Sequence, residues 1–256
     1  MRSKRIEEIK NCIYKNKTVS LNQICHEFNI SKSTLRRDLD SILAEGDIKK
    51  IYGGVTVLPK KGLVPFEDRN IAHPIEKMQI ATAAAQLVEN GDIIFIDSGT
   101  TTMHILETIK DKKDITVLTN NVEIILQAMP YNNINIITLS GSLNRKTLSF
   151  AGNYAAQVLQ NYNISKAFMA TTGFSIANGV TNSSPVESAL KRAAVKRSQT
   201  VYLLADSSKC GEVSLMTYCG LDQIDVLITE SEPAPDICDF MKENGHKILI
   251  AKYDYL

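Results

Sequence analysis

The stretch Ser31-Lys32-Ser33-Thr34-Leu35-Arg36-Arg37-Asp38-Leu39-Asp40 decides how the first quarter of this chain folds. At 100° per residue, Leu35, Leu39, Ile42 and Leu43 fall on one face of a helix, and that face is expected to pack inward. The opposite face centres on Ser33 and Arg37, flanked by Thr34, Asp40 and Ser41, with Arg36 at its border and Lys32 in the first turn. Ser31 is placed to cap this helix, and Gly46 to end it after Glu45. Small and basic residues at the start let a helix approach base edges and phosphates, and an arginine can bind guanine through two hydrogen bonds. The Arg-Arg pair by itself would equally describe a solvated charged face, so the flanking sequence has to decide.

Upstream, Ser3–Lys15 carries Ile6, Ile9 and Ile13 at helical spacing. Ser20 then reads as the N-cap of a second helix through Leu21, Ile24 and Phe28, and Asn29-Ile30 as a tight turn. Downstream, Ile48 to Val57 divides into two short strand-like pieces separated by Gly53-Gly54, the pattern of a β-hairpin wing. Lys49, Lys50 and Tyr52 are its candidate DNA contacts. Residues 1–58 are therefore expected to form a winged helix-turn-helix. Their charge agrees, with 11 lysines and arginines against 7 acidic residues, whereas the remainder holds 18 against 21. Residues 59–73, with Pro59, Pro65 and Gly62 among charges, have the composition of a linker.

From residue 74 to 256 the pattern changes. Ile93–Ile96, Ile115–Leu118, Ile134–Leu139, Ala167–Ala170, Val201–Ala205, Val226–Thr229 and Ile248–Ala251 are apolar runs with almost no polar alternation. Strands of that kind are buried on both faces, which predicts a doubly wound, mostly parallel α/β sheet, Rossmann-like in layout. Met78–Val88, Met103–Ile109 and Val186–Lys196 supply helices. Ligand loops are expected at the carboxyl ends of the strands. There Asp97-Ser98-Gly99-Thr100-Thr101-Thr102 offers a glycine for close backbone approach, hydroxyl donors and the amides of a helix start, all suited to a phosphate. The same residues would also serve as a capped turn that binds nothing. Thr119-Asn120-Asn121 fits either sugar hydroxyls or an N-cap cluster. Arg145, in the loop after the third strand, could add charge to a phosphate, and Asp206 and Lys209 close the fifth strand as a pocket-mouth pair. Glu187 and Lys191, four residues apart on a helix, read as a surface ion pair.

The run Val19–Val55 resembles the DeoR family of bacterial repressors almost position for position. The family's Ser-x-x-Thr-aliphatic-Arg-Arg-Asp-Leu helix is matched by Ser31, Thr34, Leu35, Arg36, Arg37, Asp38 and Leu39, and its wing by Gly46, Gly53 and Gly54. Lys50, Tyr52 and Val55 depart from the Arg, His and Ala usual there, which bears on how the wing meets DNA. The resemblance runs through nearly the whole chain, by way of Glu67-x-Arg69, Lys77-x-x-Ile80-Ala81, the Asp97–Thr101 and Thr119–Asn121 loops, Gly173 and Asp206-Ser207-Ser208-Lys209. Cys210 and Glu230 stand where Phe and Asp are common. What the resemblance implies is a regulator, repressing genes of carbohydrate metabolism, whose sensor domain is similar to ribose-5-phosphate isomerase and keeps a pocket for a phosphorylated sugar without catalytic residues. The implied partners are double-stranded operator DNA, at Lys32, Ser33, Thr34, Arg36, Arg37, Lys49, Lys50 and Tyr52, and the sugar effector. Reading a useful length of duplex takes at least two heads, so a homodimer or homotetramer is expected.

Two other functions compete. One is a sugar-phosphate isomerase or deaminase with an accessory DNA-binding domain; the other is an NAD-binding redox sensor. The second needs Gly-x-Gly-x-x-Gly after a strand, and Asp97–Thr102 has one glycine. A CoA-transferase-like activity lacks a persuasive covalent glutamate. The five cysteines are scattered without a Cys-x-x-Cys pair, and the four histidines stand alone, which argues for reduced cytoplasmic thiols and against a metal site. No cofactor is implied. No apolar run approaches the ~18–20 residues of a membrane span, so no membrane partner is expected.

Overall fold

A computed structural model of the chain describes residues 2–16, 18–43, 48–57 and 63–252, and divides it into two compact units, residues 1–62 and 63–256. In the first, α1 (Arg2–Asn16), β1 (Thr18–Ser20), α2 (Leu21–Glu27), α3 (Lys32–Leu43), β2 (Ile48–Ile51) and β3 (Gly54–Val57) follow one another. Ser20 caps α2 in a capping box: its hydroxyl accepts from the Gln23 amide at 3.2 Å while Gln23 Oε1 accepts from the Ser20 amide at 3.1 Å. Asn29, at φ 48°, makes the left-handed turn into α3, and Ser31 Oγ accepts from the Thr34 amide. Ile9, Ile13, Ile24, Leu35, Leu39 and Ile42 form one small core with Val19, Ile48 and Val55. The glycine pair of the wing has two separate reasons. Gly53 turns the hairpin at φ +75°, and Gly54 lies so close to β1 that a Cβ would sit 2.5 Å from the Val19 carbonyl oxygen. Gly46 and Glu45, expected at the end of α3, lie outside the described residues, as do residue 58 and residues 59–62 of the expected linker.

The second unit begins before residue 74. Residues 66–70 form a short helix, α4 (Phe66–Asn70), and Phe66 is buried in the main core. An aromatic anchor inside the proline- and charge-rich stretch makes its second half part of the body. Then come α5 (Pro74–Gln86), β4 (Ile93–Ile96), α6 (Ile105–Ile109), β5 (Ile115–Thr119), α7 (Val122–Ala128), β6 (Ile134–Thr138), β7 (Ser142–Asn144), β8 (Ser149–Ala151), α8 (Asn153–Leu159) and β9 (Ile164–Ala170). The chain closes with β10 (Gly173–Ser175), β11 (Gly179–Asn182), α9 (Pro185–Arg197), β12 (Ser198–Leu204), β13 (Met216–Cys219), β14 (Val226–Thr229), α10 (Pro235–Glu243) and β15 (Lys247–Ile250).

All seven apolar runs enter one parallel sheet in the order β15-β14-β12-β9-β4-β5-β6. Alternate residues feed separate cores. Phe95, Leu118, Ala167, Met169 and Leu203 face α8, α9 and α10, whereas Ile94, Ile96, Val117, Phe168 and Leu204 face α5, α6 and α7. Two-sided burial is why these strands lack polar alternation. Two antiparallel additions, β7-β8 and β10-β11-β13, escaped the sequence reading because their strands, three or four residues long, mix small and polar residues with the apolar ones and form no apolar run. The strand order reverses between β4 and β9, and at such a switch point the loops on either side diverge and leave a crevice.

Candidate functional site

On the first unit, Lys32, Ser33, Arg36 and Arg37 of α3 are exposed, as expected of a reading face. Thr34 is half-buried, and its hydroxyl is 3.0 Å from Ser31 Oγ, so it belongs to the cap as much as to the face. Asp38 lies on the other side. Its carboxylate is 1% exposed and accepts from Arg5 Nε and Nη2, each at 2.8 Å, which ties α3 to α1. The Arg-Arg-Asp run thus holds two display residues and one structural anchor. On the wing, Lys49 and Lys50 are exposed and Tyr52 stands fully exposed at the hairpin tip. Lys50 Nζ is 3.6 Å from Asp40 Oδ1, a surface pair that contributes little to stability.

In the second unit a pocket of about 220 Å³ opens at the β4/β9 switch point. It is smaller than the roughly 300–1,000 Å³ of most ligand sites, a size for a small polar metabolite. One wall is the predicted loop: Ser98, Gly99, Thr100 and Thr101. The Gly99 amide is occupied by Asp97 O and Thr102 Oγ1, but no described residue accepts from the amides of Ser98, Thr100 or Thr101. Gly99 has a reason other than the one its position in the loop suggests. A Cβ there would sit 2.3 Å from Ala170 Cβ on β9, so the glycine permits strand-loop packing, and Gly99→Val would disturb the scaffold before any ligand.

The remaining walls come from Arg69, Lys77, Thr171, Asn182, Glu187, Lys191 and Lys209, among others. Arg69 Nε and Nη2 are buried without a hydrogen-bond partner. Unmet donors of this kind cost ~1–3 kcal/mol each, and more when charged. Burial lowers the Arg69 pKa from its ordinary value, against the opposing pull of Glu187, Asp97 and Glu67. Lys77 is buried, donates to the Arg69 carbonyl, and is pushed down to about 8; burial dominates, Asp206 opposes it, and Lys209 and Arg69 add to it. Four cationic side chains, Arg69, Lys77, Lys191 and Lys209, thus line one small volume, and Arg69 has donors with nothing to bind.

Glu187 and Lys191 are not a surface ion pair. Both are buried, because the face of α9 that carries them is the one packed on the body. Glu187 accepts from Ser149 Oγ at 2.7 Å and from Asn182 Nδ2 at 3.3 Å. Lys191 donates to Asp97 Oδ2 and, at 3.1 Å, to the Ala170 carbonyl, and lies 5.3 Å from the centre of the Tyr218 ring. Asp97 also accepts from the Ala170 amide, so its carboxylate clamps β4 to β9 and does not line the pocket.

Other expected site residues sit behind it. Thr119 Oγ1 donates to Ile96 O, and Asn121 Oδ1 caps α7 by accepting from the Glu123 amide. Asn120 donates to Phe150 O at 2.9 Å and to Ser98 Oγ at 3.5 Å, backing the loop rather than entering the pocket. Asp206 caps the turn Ser207–Lys209 and so aims Lys209. Arg145 is exposed in the connection between β7 and β8 and does not reach the pocket. The sequence reading missed Arg69, Lys77, Glu187 and Lys191 as site residues. Lys77 carried a signal: it shares the helical face of Ile80, Ala81, Ala84 and Ala85, where a charge is costly without a purpose. Among the described residues, no group of histidine, cysteine and acidic side chains could hold a metal, and no helix is long and apolar enough to cross a membrane.

Comparison with known proteins finds a match for each unit. Residues 5–61 match the DeoR-like helix-turn-helix domain and residues 72–231 the DeoR C-terminal sensor domain. The HTH-type transcriptional regulator IolR of Bacillus subtilis (strain 168) is 44% identical over 236 residues, 92% of this chain and 94% of that protein. The HTH-type transcriptional repressor GlcR of the same organism is 28% identical, over 98% of this chain and 96% of its own. Among solved structures, ribose 5-phosphate isomerase A from Methanocaldococcus jannaschii is similar over 52% of this chain and 53% of its own at 16% identity, with a TM-score of 0.38.

Proposed function

This chain belongs to the DeoR family of transcriptional regulators, and from that premise we propose that it is a repressor whose hold on operator DNA is set by a small phosphorylated metabolite bound at the β4/β9 switch point. The observation that carries the reading is Arg69, with Nε and Nη2 buried and unpartnered beside Lys77 and Lys209. A dianion supplies acceptors for these donors and for the amides of Ser98, Thr100 and Thr101, and charge-assisted bonds of this kind are the strong ones. Ser98, Thr101, Thr171 and Asn182 offer polar partners to hydroxyls of the same molecule.

Binding rather than turnover is supported by the carboxylates. Glu187 has hydrogen-bond donors on both oxygens and Asp97 is held by Lys191, so both carboxylates are engaged in holding the body together. On the operator side, Lys32, Ser33, Arg36 and Arg37 read the major groove while Lys49, Lys50 and Tyr52 meet the backbone, in an oligomer of at least two chains. The test is a thermal-shift screen of pentose and hexose phosphates beside their unphosphorylated sugars, on wild type and Arg69→Gln. Stabilisation by a phosphate ester only, weakened in Arg69→Gln, is expected. Equal stabilisation by the free sugar, or turnover of the ester to an isomer, contradicts the proposal.

A further inference from the structure

Resting on that reading of the pocket, we propose that residues 63–73 form an anion-locked strap: occupancy of Arg69 docks the strap, and the docked or lifted strap is what the DNA-binding unit senses. Leu63, Val64, Asp68, Arg69, Ala72 and His73 all line the pocket, so one continuous segment supplies a wall of it. That segment is also the first stretch of the body the chain enters after residue 62, where the head-side unit ends. A change in the strap therefore acts directly on the point from which the head is tethered.

The strap is lightly held. Its helix has five residues, too few to be stable unaided. Its fastenings include the buried Phe66 side chain, the Phe66 amide to Lys146 O at 2.6 Å and Lys77 reaching the Arg69 carbonyl, and Asp68 takes part in a further interaction. Against them stands the Arg69 guanidinium, lying 5.7 Å over the Phe66 ring with two donors buried and unmet. Without an anion, lifting the strap gives those donors water; with one, docking gives them acceptors. The anion thus binds the two strap positions unequally, which is the condition for shifting their populations. By linkage, whatever the head gains or loses on DNA through the strap must be returned as a change in anion affinity.

The test is amide hydrogen exchange on the full chain with and without saturating inorganic phosphate, read on peptides covering 63–73 and on peptides covering β4 and β9, with thermal shift run in parallel to establish binding. The expected result is a several-fold gain in protection at 63–73 in the wild type, lost in Arg69→Gln and in Arg69→Lys, which keeps charge without the planar donors. Phe66→Leu, which loosens the anchor while remaining apolar, should lower protection before phosphate is added and enlarge the gain. If phosphate stabilises the protein and protects 97–102 but leaves 63–73 unchanged, the strap is overturned and the pocket reading stands. If phosphate neither stabilises nor protects anything, both fall.

Discussion

The chain uses its cations in two opposite ways. On α3 and the wing, Lys32, Arg36, Arg37, Lys49 and Lys50 are displayed on the surface of a small unit whose apolar core is joined by one buried carboxylate, Asp38. In the body, Arg69, Lys77 and Lys191 are turned inward, and Lys191 is paired with a carboxylate that is itself buried. A displayed cation is cheap to keep and ready for a polyanion that brings many charges at once. A buried one is costly unless something answers it, so it selects for a small ligand of the right charge. Removing charges from the two regions should therefore have opposite signatures: lost DNA affinity with the fold intact in one, and a changed fold or ligand response in the other.

The largest effect is expected at the clamp between β4 and β9. Lys191→Met leaves the Asp97 carboxylate buried without its cation, and breaking a buried pair costs about 3–5 kcal/mol. Urea unfolding of the body should show this, while Arg37→Ala stays within roughly 0.5 kcal/mol of wild type. Equal unfolding midpoints for Lys191→Met and wild type would place that pair outside the scaffold. Arg37→Ala should show its loss elsewhere, weakening a selected operator by about 1–3 kcal/mol in anisotropy titrations. Within the head, Asp38→Ala crosses the comparison, since Asp38 belongs to the display motif yet is buried. It should destabilise the head by ~1–3 kcal/mol by stranding Arg5, without the base-specific loss seen at Arg37.

A smaller effect is the pH response of Lys77. Burial holds this group at about 8 against an ordinary 10.5, so the folded chain releases the proton first. The charged lysine weighs against folding below about 8, and the stability at this site rises as pH climbs from about 8 to 10.5. An anion in the pocket pulls the other way. Its binding should draw a proton onto Lys77 just above pH 8, and its affinity should fall as pH rises further. Calorimetry in two buffers of different ionisation enthalpy would read proton uptake as a buffer-dependent heat; identical heats would remove Lys77 from the site. The smallest expected change is on the wing, where Lys49→Ala should reduce the salt slope of DNA binding by about one phosphate contact.

The same contrast explains what was legible in the sequence. Ser31 to Asp40 covers the cap and body of one helix, so its spacing gave cap, core face and exposed face together, while the structural duties of Asp38 and Thr34 came from contacts that spacing does not show. The seven strands could be read because two-sided burial leaves unbroken apolar runs. The pocket is assembled from six separated segments, so no local pattern contains it. The Asp97–Thr102 loop stood out by composition, but which of its groups face the pocket was hidden: Asp97 turns away to Lys191, 94 residues distant, and Gly99 serves Ala170. Arg69 was hidden by its surroundings, since a proline- and charge-rich stretch hides the single aromatic, Phe66, that docks it. Glu187 and Lys191 misled because helical spacing cannot tell which face of α9 is buried.

The most direct test of the account is to measure operator affinity while titrating the phosphate ester that stabilises the protein most. The operator is a duplex selected by the protein from a random-sequence pool, and wild type is compared with Arg69→Gln. The account predicts that the ester changes wild-type operator affinity at least several-fold, that operator changes ester affinity by the same factor, and that Arg69→Gln binds operator normally but no longer responds. An ester that binds the wild type tightly and leaves operator affinity untouched, or an Arg69→Gln protein that responds in full, would contradict it.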